Sequence, residues 1–93
     1  MRIGILQIEL RILSPRSLKE KRSIIKPMKN YLRKQFNISV AEIDHHDVLK
    51  SSKIAIAMVG RDQTIVHREL YSISQKIENR YPVTIIKESL EIL

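Results

Sequence analysis

Eight lysine or arginine residues are concentrated in the nineteen positions from 16 to 34, where Glu20 is the only acidic residue. These eight are Arg16, Lys19, Lys21, Arg22, Lys26, Lys29, Arg33 and Lys34. Of the 17 basic and 10 acidic residues in the chain, 9 of each lie elsewhere and cancel, so this segment carries the whole net charge of +7. A dense positive segment on an otherwise neutral protein attracts anionic macromolecules, and phosphate groups are the chemistry it fits.

On a helix with about 100° per residue, five of these cations fall within an arc of roughly 80°, beside the apolar stripe. They are Lys19, Arg22, Lys26, Lys29 and Arg33, here named the basic row. Consecutive members stand three or four residues apart, so each like-charged pair destabilises the helix by about 0.2–0.5 kcal/mol. Because helix stability disfavours this arrangement, we predict that the basic row contacts phosphates, with Arg16 and Lys21 in support.

RNA, free or within a ribosomal subunit, is the predicted partner of the basic row. RNA-binding sheets of small α+β domains stack bases on aromatic side chains of their strands. The strand over residues 53–59 contains no aromatic residue, and neither does the first strand. We therefore expect contacts to the RNA backbone that depend strongly on salt and read bases poorly.

Metal and enzymatic chemistry have little support in the sequence. Asp44-His45-His46-Asp47 is the only local cluster of metal-ligating types, but adjacent histidines in an extended segment point to opposite sides, and His67 lies on a separate helix. Acylphosphatase-type catalysis needs a glycine-containing phosphate loop after strand one, whereas Ser14-Pro15-Arg16-Ser17 has no glycine. The chain also has no cysteine. We expect no catalytic residue, no metal site and no cofactor.

The apolar periodicity orders the chain as β-α-β-β-α-β. Alternating apolar and polar residues predict a first strand, and shorter apolar runs bounded by polar links predict three more. The predicted strands cover about residues 2–13, 38–44, 53–60 and 83–86, the last extending toward Leu93. With right-handed crossovers this order closes into one ferredoxin-like α+β domain over residues 1–93, a four-stranded antiparallel sheet with two helices on one face.

Two helices are predicted from their capping signals. Ser17 and Glu20 have the spacing of a capping box, so the first helix begins at the next residue, Leu18. Pro27 inside this helix removes a backbone hydrogen bond, and we expect a kink near Ser23 or a helix in two parts. Asp62 caps the second helix, which ends before Pro82 and buries an apolar face of Val66, Leu70, Ile73 and Ile77.

The sheet face away from the helices is also partly apolar, since Ile3, Ile5, Ala55, Ala57 and Val59 alternate with the core positions. Burying this face between two copies would contribute about 25 cal/mol per Å² of apolar area. A homodimer through the open sheet face is therefore one expectation, and cover by long lysine and arginine stems is the other. No apolar run reaches the roughly 20 residues of a membrane helix, so we expect a soluble, cytoplasmic protein without a membrane partner.

Several runs resemble the YlxP-like family (DUF503), small bacterial proteins classed as a domain of unknown function. The similar runs are residues 17–22 (Ser-Leu-Lys-Glu-Lys-Arg), 25–27 (Ile-Lys-Pro) and 36–42 (Phe-Asn-Ile-Ser-Val-Ala-Glu), and the similarity extends through Asp47 to residues 91–93. The resemblance implies a ferredoxin-like fold. Because many members' genes lie near those for translation initiation and ribosome maturation factors, it also implies a translation-linked role in contact with ribosomal RNA or an assembly intermediate. It implies no catalytic residues, and Leu49 stands where many relatives carry tryptophan.

The leading hypothesis is thus a non-enzymatic RNA- or ribosome-associated binding protein. The alternative is a homodimeric protein-interaction module that binds an acidic partner, and a small metal or phosphate-ester enzyme comes third.

Overall fold

The computed structural model describes all residues from Met1 to Leu93. Its elements are β1 (Arg2–Ile12), α1 (Leu18–Gln35), β2 (Ile38–Asp44), β3 (Ser51–Gly60), α2 (Gln63–Arg80) and β4 (Val83–Ile92). The strands form one antiparallel sheet in the order β2-β3-β1-β4, and both helices contribute to a single core on one face of it. The predicted ferredoxin-like α+β arrangement is confirmed.

The strand boundaries agree with the sequence prediction to within two residues, apart from the last strand. β2 has the predicted bounds, and β3 begins at Ser51, two residues earlier than predicted. β4 continues through Ile92, so its extension toward the end of the chain is confirmed. β4 pairs with nearly all of β1. The pairing shifts register once, between Glu9 and Leu10 of β1, as at a β-bulge.

Helix α1 begins where predicted because the Ser17 hydroxyl accepts a hydrogen bond from the backbone N–H of Glu20 at 3.1 Å. The helix then continues without interruption to its last residue, so the expected division into two parts is wrong, and the alternative, a kink near Ser23, stays a prediction. Pro27 is exposed on the solvent side of the helix. Proline has no backbone N–H, so the carbonyl of Ser23 four residues earlier lacks its helical partner. Because this side of the helix faces solvent, water can hydrogen-bond to that carbonyl instead.

The core lies between the sheet and the two helices and contains fifteen buried apolar residues. The four residues predicted for the apolar face of α2 are all fully buried. This helix approaches the sheet closely at Gly4, where a Cβ atom would clash with the side chains of Val66 and Leu70. Neither helix is long and apolar enough to cross a membrane.

The opposite face of the sheet, here named the open face, has no helix over it. Alternate residues of each strand point toward it, and the strand register fixes which of them are neighbours. Its apolar members are Ile3, Ile5, Ala41, Ala55, Ala57, Val59 and Leu93, and its charged members are Glu9, Arg11, Asp44, Lys53, Lys87 and Glu91. Val59 and Leu93 are 55% and 56% exposed, so an apolar surface remains in contact with water.

Candidate nucleic-acid interface

Helix α1 lies beside β2, the edge strand of the sheet, and a groove of about 330 Å³ separates their side chains. Four of the five residues of the basic row line this groove: Arg22, Lys26, Lys29 and Arg33. Lys19, the fifth, is exposed three residues before Arg22, and Arg16 is exposed just ahead of the helix. The structure therefore brings the predicted row together along one side of α1, facing a concave surface.

The charges of the basic row are not neutralised within the protein. No carboxylate oxygen lies within 4.0 Å of Arg16 or of any residue in the row, and Lys21 is the only lysine or arginine with a carboxylate so close. The one acidic residue lining the groove, Glu42, is the partner of Lys21. The groove thus presents four unpaired cations to solvent and has a positive potential.

Arg33 also fixes the two walls of the groove relative to each other. Its guanidinium donates one hydrogen bond to the backbone carbonyl of Val40 in β2 at 2.9 Å and another to Asn30 Oδ1 at 3.2 Å. These bonds leave the charge of Arg33 without a counter-ion, because both acceptors are neutral. Arg33, the last residue of the basic row, therefore connects α1 to the edge strand β2.

Lys21 does not belong with the surface cations, which corrects the prediction that it supports phosphate binding. Lys21 is buried, with only 1% of its surface exposed. Its ammonium group lies 2.5 Å from the carbonyl oxygen of His45, 2.8 Å from that of Val48 and 3.2 Å from Glu42 Oε2, with the carbonyl of His46 at 3.4 Å. An ammonium has three N–H donors, so these acceptors use its full capacity and none remains for a phosphate.

Glu42 and Ser52 complete a buried polar cluster with Lys21. Glu42 Oε2 accepts a hydrogen bond from the Ser52 hydroxyl at 2.6 Å in addition to its contact with Lys21, and Ser52 is fully buried. One signal in the sequence marks Lys21 as part of the core. It precedes Ile25, Met28 and Leu32 by four, seven and eleven residues, which is the spacing of the apolar stripe itself.

The Asp44-His45-His46-Asp47 segment forms the turn into which the Lys21 ammonium is inserted. His45 adopts a left-handed backbone conformation with φ of 63°, and its backbone N–H donates to Asp44 Oδ1 at 2.8 Å. Its Nε2 atom lies 3.2 Å from Glu9 Oε1. No group of three or more histidine, aspartate or glutamate side chains comes close enough to hold a metal ion.

The aromatic residues lie outside the strands, so the open face offers no ring for base stacking. Tyr31 and Tyr81 pack edge to face with ring centroids 6.2 Å apart, and the Arg80 guanidinium lies 4.1 Å above the Tyr31 ring. Lys76 lies over Phe36 in the same way, at 4.9 Å. These contacts join the C-terminal ends of the two helices on the side of α1 away from the basic row.

The fold and the groove define a small ferredoxin-like α+β protein with an unpaired cationic surface between one helix and an edge strand. The family described as "Protein of unknown function (DUF503)" matches residues 3–89, and the chain belongs to that family. The "Uncharacterized protein YlxP" of Bacillus subtilis (strain 168) is 30% identical to this chain over 77 residues, which are 83% of this chain and 84% of that protein. The family resemblance noted in the sequence is thereby confirmed.

Proposed function

We propose that this protein is a non-enzymatic RNA-binding protein whose basic row contacts phosphate groups. The observation that supports this most is that four of the five row residues line one groove while none of them has a carboxylate within 4.0 Å. Lys19 and Arg16 extend the same surface toward the start of α1. Lys21 has no part in the contact, because its ammonium is buried.

The geometry of the row suits a phosphate backbone. From Lys19 to Arg33 the helix rises roughly 21 Å at about 1.5 Å per residue, which is long enough for several successive phosphates of one strand. Helix α1 is rigidly held by its buried face, so the cations are presented along a fixed line. The open face has no aromatic residue, and binding through the groove therefore depends on charge and backbone shape more than on base identity.

Ribosomal RNA or a ribosome assembly intermediate in the cytoplasm is the partner we propose. This part of the proposal rests on the family's association with genes for translation initiation and ribosome maturation factors. Ribosomal subunits also present a dense surface of structured RNA, which a straight row of cations can contact without reading a sequence. Sedimentation with purified ribosomal subunits over a series of salt concentrations measures this association directly.

The test of the proposal removes three cations of the row together, with Lys26→Gln, Lys29→Gln and Arg33→Gln. The matched control removes three exposed cations outside it, with Arg2→Gln, Arg61→Gln and Arg68→Gln, and has the same net charge. If all five row residues contact phosphates, log K for the unaltered protein falls with log salt at a slope of about −3.5 to −4.5. We expect the row variant to lose three contacts and reduce the slope to about −1.4 to −1.8, with the control unchanged.

Equal RNA retention by the row variant and the unaltered protein would contradict the proposal. Equal losses in the row variant and the control would show that net charge, and not the groove, governs binding. Co-purification from cell extract with and without ribonuclease separates RNA from an acidic protein partner, because only the protein partner survives the nuclease.

A further inference from the structure

The open face has the properties of a self-complementary interface, independent of RNA binding. We propose that two copies of this chain pair through their open faces about a twofold axis that runs parallel to the strands, between β1 and β3. The argument uses the strand register, which places each open-face residue at a defined level along the sheet. A rotation about this axis preserves those levels and lays β1 of one copy over β3 of the other.

The central pair of strands is complementary in size under this rotation. Ile5 is the register neighbour of Ala57, so the rotation places the large side chain of one copy over the small side chain of the other, twice. At the exposed end of the sheet the rotation places Ile3 over Val59 of the second copy, which adds an apolar contact between two branched side chains. Large side chains opposite small ones let two sheets approach to the usual distance of about 10 Å.

The charges are complementary as well. Four charged residues lie at the same level of the sheet, one on each strand. In the order β2-β3-β1-β4 they are Asp44, Lys53, Glu9 and Lys87. The rotation therefore places Glu9 over Lys53 of the second copy and Lys87 over its Asp44. In the single chain, neither Lys53 nor Lys87 has a carboxylate within 4.0 Å. These lysines are free to pair across the interface.

The net charge of the chain does not oppose this pairing. The open face carries three acidic residues (Glu9, Asp44 and Glu91) and three basic residues (Arg11, Lys53 and Lys87), so its own charge is zero. The basic row lies on the helical side, and two sheets with their helices place the two α1 axes roughly 30 Å apart. That separation is several times the Debye length of about 8 Å at physiological salt.

The area of the open face meets what a stable dimer needs. The four strands have 7 to 11 residues, and at about 3.3 Å per residue and about 4.8 Å between strands one face presents roughly 600 Å², so two faces bury roughly 1,200 Å². This value reaches the lower end of the range for specific interfaces and exceeds that of most crystal-packing contacts. The apolar residues are fewer than half of those on the face, so its charged and polar residues have to take part.

The experiment measures the mass of the full-length chain in solution by sedimentation equilibrium over a wide range of protein concentration. We expect a dimer, and we expect Ala57→Glu to convert it to a monomer, because the introduced carboxylate faces Ile5 of the second copy. Ala57 is exposed in the single chain, and circular dichroism checks that the variant remains folded. Gln75→Glu, on the exposed side of α2, adds the same charge and leaves the dimer intact.

A charge-reversal pair tests the orientation of the axis. Lys87→Glu and Asp44→Lys, each alone, place like charges opposite each other at two symmetric contacts and raise the dimer dissociation constant about tenfold. The double variant restores it. Lys87 and Asp44 lie on the two outer strands of the four-stranded sheet, about 14 Å apart within one chain, so such a rescue arises only between copies. Aligned sheets cross at about 30°, a displacement that a lysine side chain spans at these outer positions.

Arg68→Glu, on the exposed surface of α2, is the matched control for Lys87→Glu and leaves the dissociation constant unchanged. A chain that sediments as a monomer at all concentrations overturns the proposal, as does a dimer that persists with Ala57→Glu. A dimer that Ala57→Glu breaks but the double charge reversal fails to restore overturns the proposed axis. RNA retention by the Ala57→Glu variant distinguishes this proposal from the proposed function. Because the basic row is intact in that variant, we expect it to lose the dimer and still retain RNA.

Discussion

Lys21 and Lys26 lie five residues apart on α1 and have opposite environments. Lys21 is buried, its ammonium is surrounded by oxygen atoms, and its charge is paired with Glu42. Lys26 is exposed in the groove beside β2 and has no carboxylate nearby. One lysine is therefore part of the protein interior, and the other is part of the surface. The difference shows that net charge by residue count overstates the surface charge available to a ligand.

The largest expected effect comes from removing the buried charge with Lys21→Met, which keeps most of the side-chain volume. Glu42 then loses its ionic partner, and the carbonyls of His45 and Val48 lose their donor. Breaking a buried ion pair in this way costs about 3–5 kcal/mol. Urea unfolding monitored by circular dichroism measures the loss in free energy of unfolding.

The matched control for this prediction is Lys26→Met, which makes the same chemical change on the exposed side of the helix. Because Lys26 has like-charged neighbours at Arg22 and Lys29, its removal relieves two repulsive pairs and should raise the free energy of unfolding by about 0.4–1 kcal/mol, so no loss is expected. Losses of similar size in the two variants would show that the contacts of Lys21 do not stabilise the protein.

The sequence predicts the local features of the fold well because they depend on neighbours along the chain. The Ser17 and Asp62 side chains both cap their helices as predicted, accepting from Glu20 N–H at 3.1 Å and from Ile65 N–H at 2.9 Å, although the reciprocal bond to the Glu20 carboxylate of the capping box is absent. The order and type of all six elements follow from periodicity. Pro27 is the exception, since a helix whose other side is well packed continues through an exposed proline.

The site is predictable in part, and the missing part depends on tertiary contacts. Helical spacing is enough to place the basic row on one side of α1. The same spacing puts Lys21 in the apolar stripe, but its ionic partner Glu42 stands 21 residues later, and Ser52, which donates to Glu42, stands 31 residues later. No local pattern connects residues so far apart, and no pattern indicates that backbone carbonyls of the turn after β2 converge on an ammonium. The groove itself exists only after α1 packs against the edge strand.

A second and smaller expected effect on stability compares two buried serines that each hydrogen-bond to a glutamate. Ser52 and Ser74 are both buried, and each hydroxyl donates to a glutamate oxygen at 2.6 Å, Ser52 to Glu42 and Ser74 to Glu88. Glu88 is exposed, whereas Glu42 is part of the Lys21 cluster. We expect Ser52→Ala to cost about 1.5–3 kcal/mol and Ser74→Ala about 0.5–1.5 kcal/mol.

Chemical denaturation of both alanine variants measures this difference, and each serves as the control for the other. Equal losses would mean that the burial and the ionic partner of Glu42 add nothing to its hydrogen bond with serine. A larger loss for Ser74→Ala would contradict the assignment of the cluster as a stabilising centre.

The smallest expected effect concerns the cost of the basic row to its own helix. Lys29 has like-charged neighbours at Lys26 and Arg33, so Lys29→Gln relieves two repulsive pairs and should raise the free energy of unfolding by about 0.4–1 kcal/mol. Lys34→Gln is the matched control on the same helix, because Lys34 has no charged residue three or four positions away.

Lys34 lies in the last turn of α1, where a cation interacts favourably with the helix dipole, and its removal should lower stability by about 0.3–1 kcal/mol. The two substitutions remove the same charge and change stability in opposite directions. Urea unfolding at low ionic strength shows this difference in sign, and about 1 M salt removes most of it by screening exposed charges. A loss of stability in Lys29→Gln at low salt would mean that the row is not under repulsion, and the argument that its charges serve a ligand would lose its energetic basis.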